Sequence, residues 1–159
     1  MAADDGAVHV YVDDKGDMRA LDAATGRKKW EFTGRWADRL WAAGGLVYTR
    51  TVVEPISMCA LDAATGARKW EFVSPTNAFA GGLSSAHRAR RSRRGAYVVG
   101  SSAKDYDQKV HAPAAVTGTE KWTSAISGSS LRIGDGVLYV VSENKEAVYA
   151  LDTAAGARA

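Results

Sequence analysis

One stretch is written twice in this chain and constrains its fold more than any other feature. The sequence ALDAATGRKKWEF runs from Ala20 to Phe32, and ALDAATGARKWEF runs from Ala60 to Phe72. Two weaker copies follow, APAAVTGTEKWTS from Ala112 and ALDTAAGARA from Ala150 to the last residue. Because self-similarity of this kind marks repeat architectures, the chain is expected to stack several copies of one small unit.

The repeated stretch predicts a β-hairpin. Asp22 can accept hydrogen bonds from the backbone just ahead of it, and Gly26 supplies a positive φ that other residues resist. A four-residue connection with glycine in the left-handed position is a common hairpin form. The alternative is a helix capped by Asp22, since alanine favours helices. It is the weaker prediction, because Trp30 and Phe32 follow at i and i+2, which is the period of a strand.

Glycine spacing divides the chain into four units. Each turn glycine is preceded, 20 to 23 residues upstream, by a glycine that opens an apolar run. The pairs are Gly6 and Gly26, Gly45 and Gly66, Gly95 and Gly118, and Gly136 and Gly156. Units of about 40 to 45 residues with four short strands are typical of propeller blades. We therefore predict an all-β fold: a β-propeller segment of about four antiparallel blades, three to four strands each.

The blades are predicted to form one domain over residues 1–159. Their boundaries fall near residues 1–34, 35–73, 74–125 and 126–159, with the first and last blades incomplete. Three strands are expected before residue 33, namely Val8–Val12, Met18–Leu21 and Lys28–Phe32. The second blade takes its inner strand from Arg35–Ala42. In the third blade, either Phe79–Ser85 supplies the inner strand and the arginines loop out, or the blade is damaged.

The motif A-x-D-x-x-T-G-x-x-x-W carries a family resemblance. It is complete in both full copies, at Ala20, Asp22, Thr25, Gly26 and Trp30, and at Ala60, Asp62, Thr65, Gly66 and Trp70. It resembles the tryptophan-docking repeat of the quinoprotein-like β-propellers, which include the PQQ-dependent dehydrogenases and the outer-membrane assembly lipoprotein. The third copy keeps Gly118 and Trp122 but has Ala114 in place of the aspartate, and the fourth has Ala155 in place of the threonine. The resemblance implies that the segment is part of a seven- or eight-bladed ring. It also implies that each tryptophan stacks on the motif of the next blade, so these residues are expected to be structural docking residues.

Charge and composition argue against a nucleic-acid-binding function. Hydrophobic residues make up 46% of the chain and charged residues 25%, as in ordinary soluble globular proteins. The net charge of +3 becomes −2 without the five arginines between Arg88 and Arg94, so the basic character belongs to one cluster. That cluster stands alone and has no aromatic residues between its arginines. Nucleic-acid binders, in contrast, spread positive charge along a face of the protein and combine it with aromatic residues. It is predicted to be a solvated loop, and no nucleic-acid partner is expected.

Three other features have a structural and a functional interpretation. The loop DDKGD at Asp13–Asp17 is acidic, but a hairpin turn needs this composition and no further ligand stands at the spacing of a calcium loop. Trp36 and Trp41 lie outside the motif and are expected to pack between blades, with a ligand-binding channel as the alternative. Cys59 is the single cysteine and is expected to be a small buried hydrophobe.

No catalytic or metal-binding arrangement is visible in the sequence. His9, His87 and His111 are scattered, and His9 alternates with valines as a packing residue would. No cofactor is expected in this chain alone. The resemblance implies PQQ with calcium only within a complete dehydrogenase, and none of the family's catalytic or cofactor residues can be assigned to a position here. Its adjacent-cysteine disulfide is also excluded by the single Cys59.

The expected function is therefore a non-catalytic binding or scaffold module with a protein partner or a small ligand. The alternative is a fragment of a PQQ-dependent quinoprotein dehydrogenase whose active site lies outside this chain. No apolar run reaches the roughly 20 residues of a membrane span, and the N-terminus lacks a signal-peptide core. As written the chain is expected in the cytoplasm, while the resemblance implies the cell envelope. Open blade faces predict self-association.

Overall fold

The computed structural model of the chain consists of short antiparallel strands. It describes residues 1–4, 6–12, 17–33, 37–51, 53–73, 84–85, 96–101, 108–128, 130–134, 136–142 and 145–159. Over these ranges the chain forms fifteen strands arranged in four sheets, and no α-helix. The prediction of an all-β fold is confirmed.

The first of two compact units, Met1–Val73, contains two four-stranded sheets whose strands follow chain order. Sheet 1 consists of β1 (Ala2–Asp4), β2 (Ala7–Tyr11), β3 (Met18–Asp22) and β4 (Lys28–Phe32). Sheet 2 consists of β5 (Ala37–Ala43), β6 (Leu46–Thr51), β7 (Ser57–Asp62) and β8 (Arg68–Val73).

The second compact unit, Ser74–Ala159, contains the other two sheets. Sheet 3 is ordered β12-β11-β10-β9, and sheet 4 is ordered β13-β14-β15. Sheet 3 consists of β9 (Ser84–Ser85), β10 (Ala96–Ser101), β11 (Gln108–Pro113) and β12 (Glu120–Ser127). Sheet 4 consists of β13 (Ser130–Gly134), β14 (Val137–Ser142) and β15 (Ala147–Asp152).

Strand β1 is the element that the sequence analysis did not anticipate. Its three residues, AAD, have low β propensity, so local pattern gives no signal for it. The strand forms through its pairing with β2, in which Ala2 lies opposite His9 and Asp4 opposite Ala7. Of the predicted strand Phe79–Ser85, the described residues are Ser84 and Ser85, which pair with β10. Asp13–Gly16, Trp36 and the cluster Arg88–Arg94 lie outside the described residues.

Within each unit, one sheet packs its apolar face on the next sheet in the chain. We call the face that packs on the following sheet the forward face and the opposite one the rear face. The forward face of sheet 1 carries Met18, Ala20 and Trp30 and meets Val47 and Leu61 on the rear face of sheet 2. In the second unit, Val110 and Ala112 of sheet 3 meet a rear face of sheet 4 built from leucines and valine, namely Leu138, Val140 and Leu151.

Strand alternation explains why these faces are apolar. In β3, Met18 and Ala20 are buried, while Arg19 between them turns to the rear face. There Arg19 forms a 3.0 Å ion pair with Glu31 of β4, which is its directly opposite neighbour. Such exposed cross-strand pairs add little stability, so the energy of the sheet comes from the apolar side.

Candidate functional site

The motif aspartate organises the turn that joins the two strands of each hairpin. In the first turn, Oδ1 of Asp22 accepts hydrogen bonds from the backbone N–H of Ala24 at 3.2 Å and of Thr25 at 2.8 Å, and from the Thr25 hydroxyl at 2.8 Å. The Gly26 N–H donates to the Asp22 carbonyl at 2.8 Å, and the glycine has a φ of 69°. The hairpin prediction is confirmed, and the helical alternative is wrong.

The second turn repeats this geometry. Oδ1 of Asp62 accepts from the N–H groups of Ala64 and Thr65 and from the Thr65 hydroxyl, each at 3.0 Å. A Lys69 ammonium lies 3.2 Å from the other carboxylate oxygen. The hydrogen bond from Lys69, followed by those from Thr65, lowers the pKa of Asp62. In the first turn, the Thr25 hydroxyl is the main cause of a lowered pKa of Asp22.

The two divergent copies keep the backbone of the turn. In the third, Gly118 N–H donates to the Ala114 carbonyl at 2.8 Å although no carboxylate stands at that position. In the fourth, Gly156 N–H donates to the Asp152 carbonyl at 2.8 Å, and the Asp152 carboxylate accepts from the N–H of Ala155 at 2.8 Å. The backbone conformation therefore depends on the glycine more than on the aspartate.

Trp30 of sheet 1 docks on the second turn, in sheet 2. Its indole N–H donates to the Ala63 carbonyl at 2.9 Å, and only 7% of the side chain is exposed. The ring packs closely against Gly66: a Cβ built at that position would lie 2.7 Å from the ring atom Cδ2. The centroid of the fully buried His9 ring lies 5.4 Å from that of the indole. Gly66 thus serves twice, since its positive φ shapes the turn and its missing side chain admits the ring.

Trp122 makes the corresponding contact in the second unit. Its N–H donates to the Thr153 carbonyl at 3.3 Å, and its six-membered ring occupies the space where a Gly156 side chain would lie. The bond is longer than in the first unit and the indole is half-buried. Trp70, 6% exposed, has its ring centroid 5.9 Å from that of Tyr48. Of the two tryptophans outside the motif, Trp41 is half-buried in β5.

The remaining motif residues are either buried in the sheets or lie on the surface of the turns. Ala20 and Ala60 are completely buried, directly opposite Trp30 and Trp70 in their sheets. Asp22, Thr25 and their counterparts lie on the turn surface. The structure therefore brings Trp30 together with the second turn and Trp122 together with the fourth turn.

Sequence reasoning missed a polar cluster in sheet 3. The buried His111 ring has its Nδ1 2.7 Å from Glu120 Oε2 and 3.3 Å from the Thr123 hydroxyl. Partial burial is the largest effect and raises the pKa of Glu120, but the hydrogen bonds with His111 and Thr123 and the electrostatic interaction with His111 together outweigh it and leave the pKa lowered. Glu120 of β12 lies opposite Pro113 of β11, which is two residues from His111. The His111 and Glu120 side chains therefore meet diagonally across the two strands, and their contact depends on the register of the pairing.

A second missed cluster surrounds Cys59 in sheet 2. Ser57 donates from its hydroxyl to Glu71 Oε1 at 2.7 Å, and its N–H donates to the Thr51 hydroxyl at 2.8 Å. Burial and then the charge of Glu71 raise the pKa of the Cys59 thiol to about 11. A thiol held protonated in this way is a poor nucleophile. Cys59 is buried, as the sequence analysis expected.

The described residues show neither a metal-binding cluster nor a membrane-spanning helix. Across the described ranges no three histidine, cysteine or carboxylate side chains converge as a metal site. Nor does any helix in the described ranges have the length and apolar character to traverse a bilayer.

Comparison with known proteins identifies the fold. Residues 1–126 match the family model described as outer membrane protein assembly factor BamB. The crystal structure of BamB from Moraxella catarrhalis superposes with a TM-score of 0.67 at 21% identity, covering 96% of this chain and 45% of that one. Quinohemoprotein alcohol dehydrogenase ADHIIG from Pseudomonas putida HK5 superposes with a TM-score of 0.69 at 16% identity, covering 99% and 33%.

A third similar structure is the computationally designed Ika4 protein, with a TM-score of 0.66 at 14% identity, covering 95% of this chain and 88% of that one. The chain thus spans less than half of the BamB and dehydrogenase chains. A sequence search of curated proteins gave no match. The structural likeness shows the β-propeller fold, and the family model covers most of the sequence. The chain therefore belongs to the outer membrane protein assembly factor BamB family of PQQ-like β-propeller repeats.

Proposed function

We propose that the chain is a non-catalytic binding or scaffold module that engages a protein partner. The observation that carries the proposal is the match of residues 1–126 to a family described as an assembly factor. Sheets joined by loops are well suited to a binding role, because binding residues often sit on loops that a scaffold positions.

The chemistry of the repeat supports the same proposal. Its most regular polar side chains, Asp22 and Asp62, accept hydrogen bonds from their own turns. We assign the docked indoles of Trp30 and Trp122 to the packing of one sheet on the next. The motif then builds the scaffold and leaves recognition to other residues.

The second candidate is part of a PQQ-dependent quinoprotein dehydrogenase. It is favoured by the superposition on the Pseudomonas alcohol dehydrogenase over 99% of this chain. Against it, Cys59 is the single cysteine of the sequence, so the chain cannot form the disulfide between adjacent cysteines implied by the family resemblance.

A titration with PQQ and calcium separates the two candidates. The purified chain is mixed with PQQ and Ca²⁺, and both the cofactor absorbance and dye-linked oxidation of alcohols and sugars are measured. We expect an unchanged cofactor spectrum and no oxidation above that of the mixture without protein. Calcium-dependent binding of PQQ accompanied by dye reduction would reject the scaffold proposal. A cross-linking experiment can support the scaffold proposal directly. A partner cross-linked to the chain in cell-envelope extracts should bind it again when both proteins are purified.

A further inference from the structure

The third turn has the donor groups of its counterparts without the carboxylate that accepts from them. In the first turn a single carboxylate oxygen of Asp22 accepts from two backbone N–H groups and from the Thr25 hydroxyl, at 2.8–3.2 Å. The second and fourth turns use Asp62 and Asp152 in the same way, each accepting from two successive N–H groups at 2.8–3.0 Å. At this position the third turn has Ala114, whose side chain cannot accept a hydrogen bond.

The backbone of the third turn keeps the conformation that presents these donors. The Ala114 N–H donates to the Thr119 carbonyl at 2.8 Å, and the Gly118 N–H donates to the Ala114 carbonyl at 2.8 Å, as at the equivalent positions of the second turn. The φ of Gly118 is 71°, and those of the other three turn glycines lie between 69° and 75°. The third turn therefore has the shape to bind a carboxylate and does not supply one.

Two N–H groups, a hydroxyl and an ammonium group stand where their counterparts bind the carboxylate. The N–H groups belong to Val116 and Thr117, and no described residue accepts a hydrogen bond from either. The Thr117 hydroxyl lies 3.0 Å from the Thr119 hydroxyl, which can be the donor of that pair and leave Thr117 to donate elsewhere. Lys121 occupies the position of Lys69, whose ammonium lies 3.2 Å from the carboxylate of the second turn. Lys121 is exposed and forms no ion pair with any described residue.

Two further features of the third turn suit a binding site on the surface. Val116 takes the place of Ala24 and Ala64 and is 76% exposed, so an apolar side chain stands on a residue that carries one of the donors. Glu120, the one acidic residue in the sequence of the β11–β12 hairpin, has its carboxylate 2.7 Å from His111 Nδ1. That carboxylate is therefore already engaged away from the turn.

We propose that the third turn binds an acidic side chain of a protein partner. The partner's carboxylate takes the position that the aspartate side chain has in the other three turns, and an apolar neighbour in the partner segment packs on Val116. Backbone N–H groups and an ammonium group form charge-assisted hydrogen bonds with a carboxylate, and these are stronger than hydrogen bonds between neutral groups. The inference rests on the proposed function, because it names the residue type through which a partner is recognised.

Titration of the ¹⁵N-labelled chain with short capped peptides tests the proposal by NMR. The probe is Ac-Leu-Asp-Leu-amide, and its uncharged match is Ac-Leu-Asn-Leu-amide. We expect the acidic peptide to shift the amide signals of Val116 and Thr117 saturably, with half-saturation in the millimolar range because each contact is solvent-exposed. The amides of Thr25 and Thr65 already donate to their own aspartates, so they are internal controls and should not shift.

Three variants locate the response. Ala114→Asp supplies the turn with its own carboxylate and should abolish the response. Lys121→Gln removes the ammonium group and should weaken peptide binding about threefold. Asp62→Ala gives the second turn the pattern of the third, so new peptide-dependent shifts should appear at Ala64 and Thr65. Circular dichroism verifies that each variant folds.

Two outcomes would overturn the proposal. If the Val116 and Thr117 amides do not respond to the acidic peptide, or respond equally to the asparagine peptide, these donors do not recognise a carboxylate. If the response persists in Ala114→Asp, the peptide binds elsewhere on the chain. Neither outcome bears on the scaffold proposal, which the cross-linking experiment tests separately.

Discussion

Replacing Gly66 by alanine should destabilise the chain more than replacing Gly26 by alanine, although both glycines have the same role in their turns. Their φ angles are +75° and +69°, so each substitution forces a left-handed residue, at a cost of about 1–2 kcal/mol. Only at Gly66 does the new methyl group meet an obstacle, 2.7 Å from Cδ2 of Trp30. Overpacking of this kind costs about 1–3 kcal/mol more. The expected difference between the variants is therefore about 2 kcal/mol.

Urea unfolding followed by tryptophan fluorescence measures this difference. With a slope of about 2 kcal/mol/M, the unfolding midpoint of Gly66→Ala should lie about 1 M below that of Gly26→Ala. Measurements at about 1 µM protein keep the comparison in the monomer, and the wild type fixes the reference. Equal midpoints would refute the reasoning, because the two sites differ in the docked indole and hardly at all in backbone conformation.

Two other predictions follow from the described contacts. Since the pKa of Asp62 is lowered in the folded state, its stabilisation is complete above the unfolded value of about 3.9 and is lost as the pH falls through the folded value. Asp62→Asn should thus show a flatter fall of the urea midpoint below about pH 4, and an unchanged slope would contradict this. The Cys59 thiol, with its pKa raised to about 11, should stabilise the fold fully below about pH 8.5 and lose that contribution as the pH rises towards 11. At pH 8 it should react with iodoacetamide at least about tenfold more slowly than in urea-unfolded chain, and equal rates would contradict its burial.

The hairpins could be predicted from sequence because their causes are local. Asp22, Thr25 and Gly26 act on backbone groups within four residues of one another, and turn chemistry of that range is legible in a sequence. The tryptophan contact is different, because Trp30 and its acceptor Ala63 are 33 residues apart. The residues alone indicated a strand position for Trp30, and its stacking on the next unit was expected through the family resemblance.

What sequence reasoning did not find depends on pairing between strands. Strand β1 has no β-forming composition and exists because β2 offers a partner edge. The contact between His111 and Glu120 depends on which residues face each other in β11 and β12, and a register shift between Ala112 and Pro113 makes that offset irregular.

The third turn keeps its backbone hydrogen bonds with Ala114 where the other copies have aspartate. The aspartate is the most recognisable residue of this repeat, yet the turn keeps its shape without it. Pattern searches that demand the acidic residue will then undercount blades in distant members of the family. Counting left-handed glycines that follow an apolar strand at a fixed interval is the more durable way to recognise them.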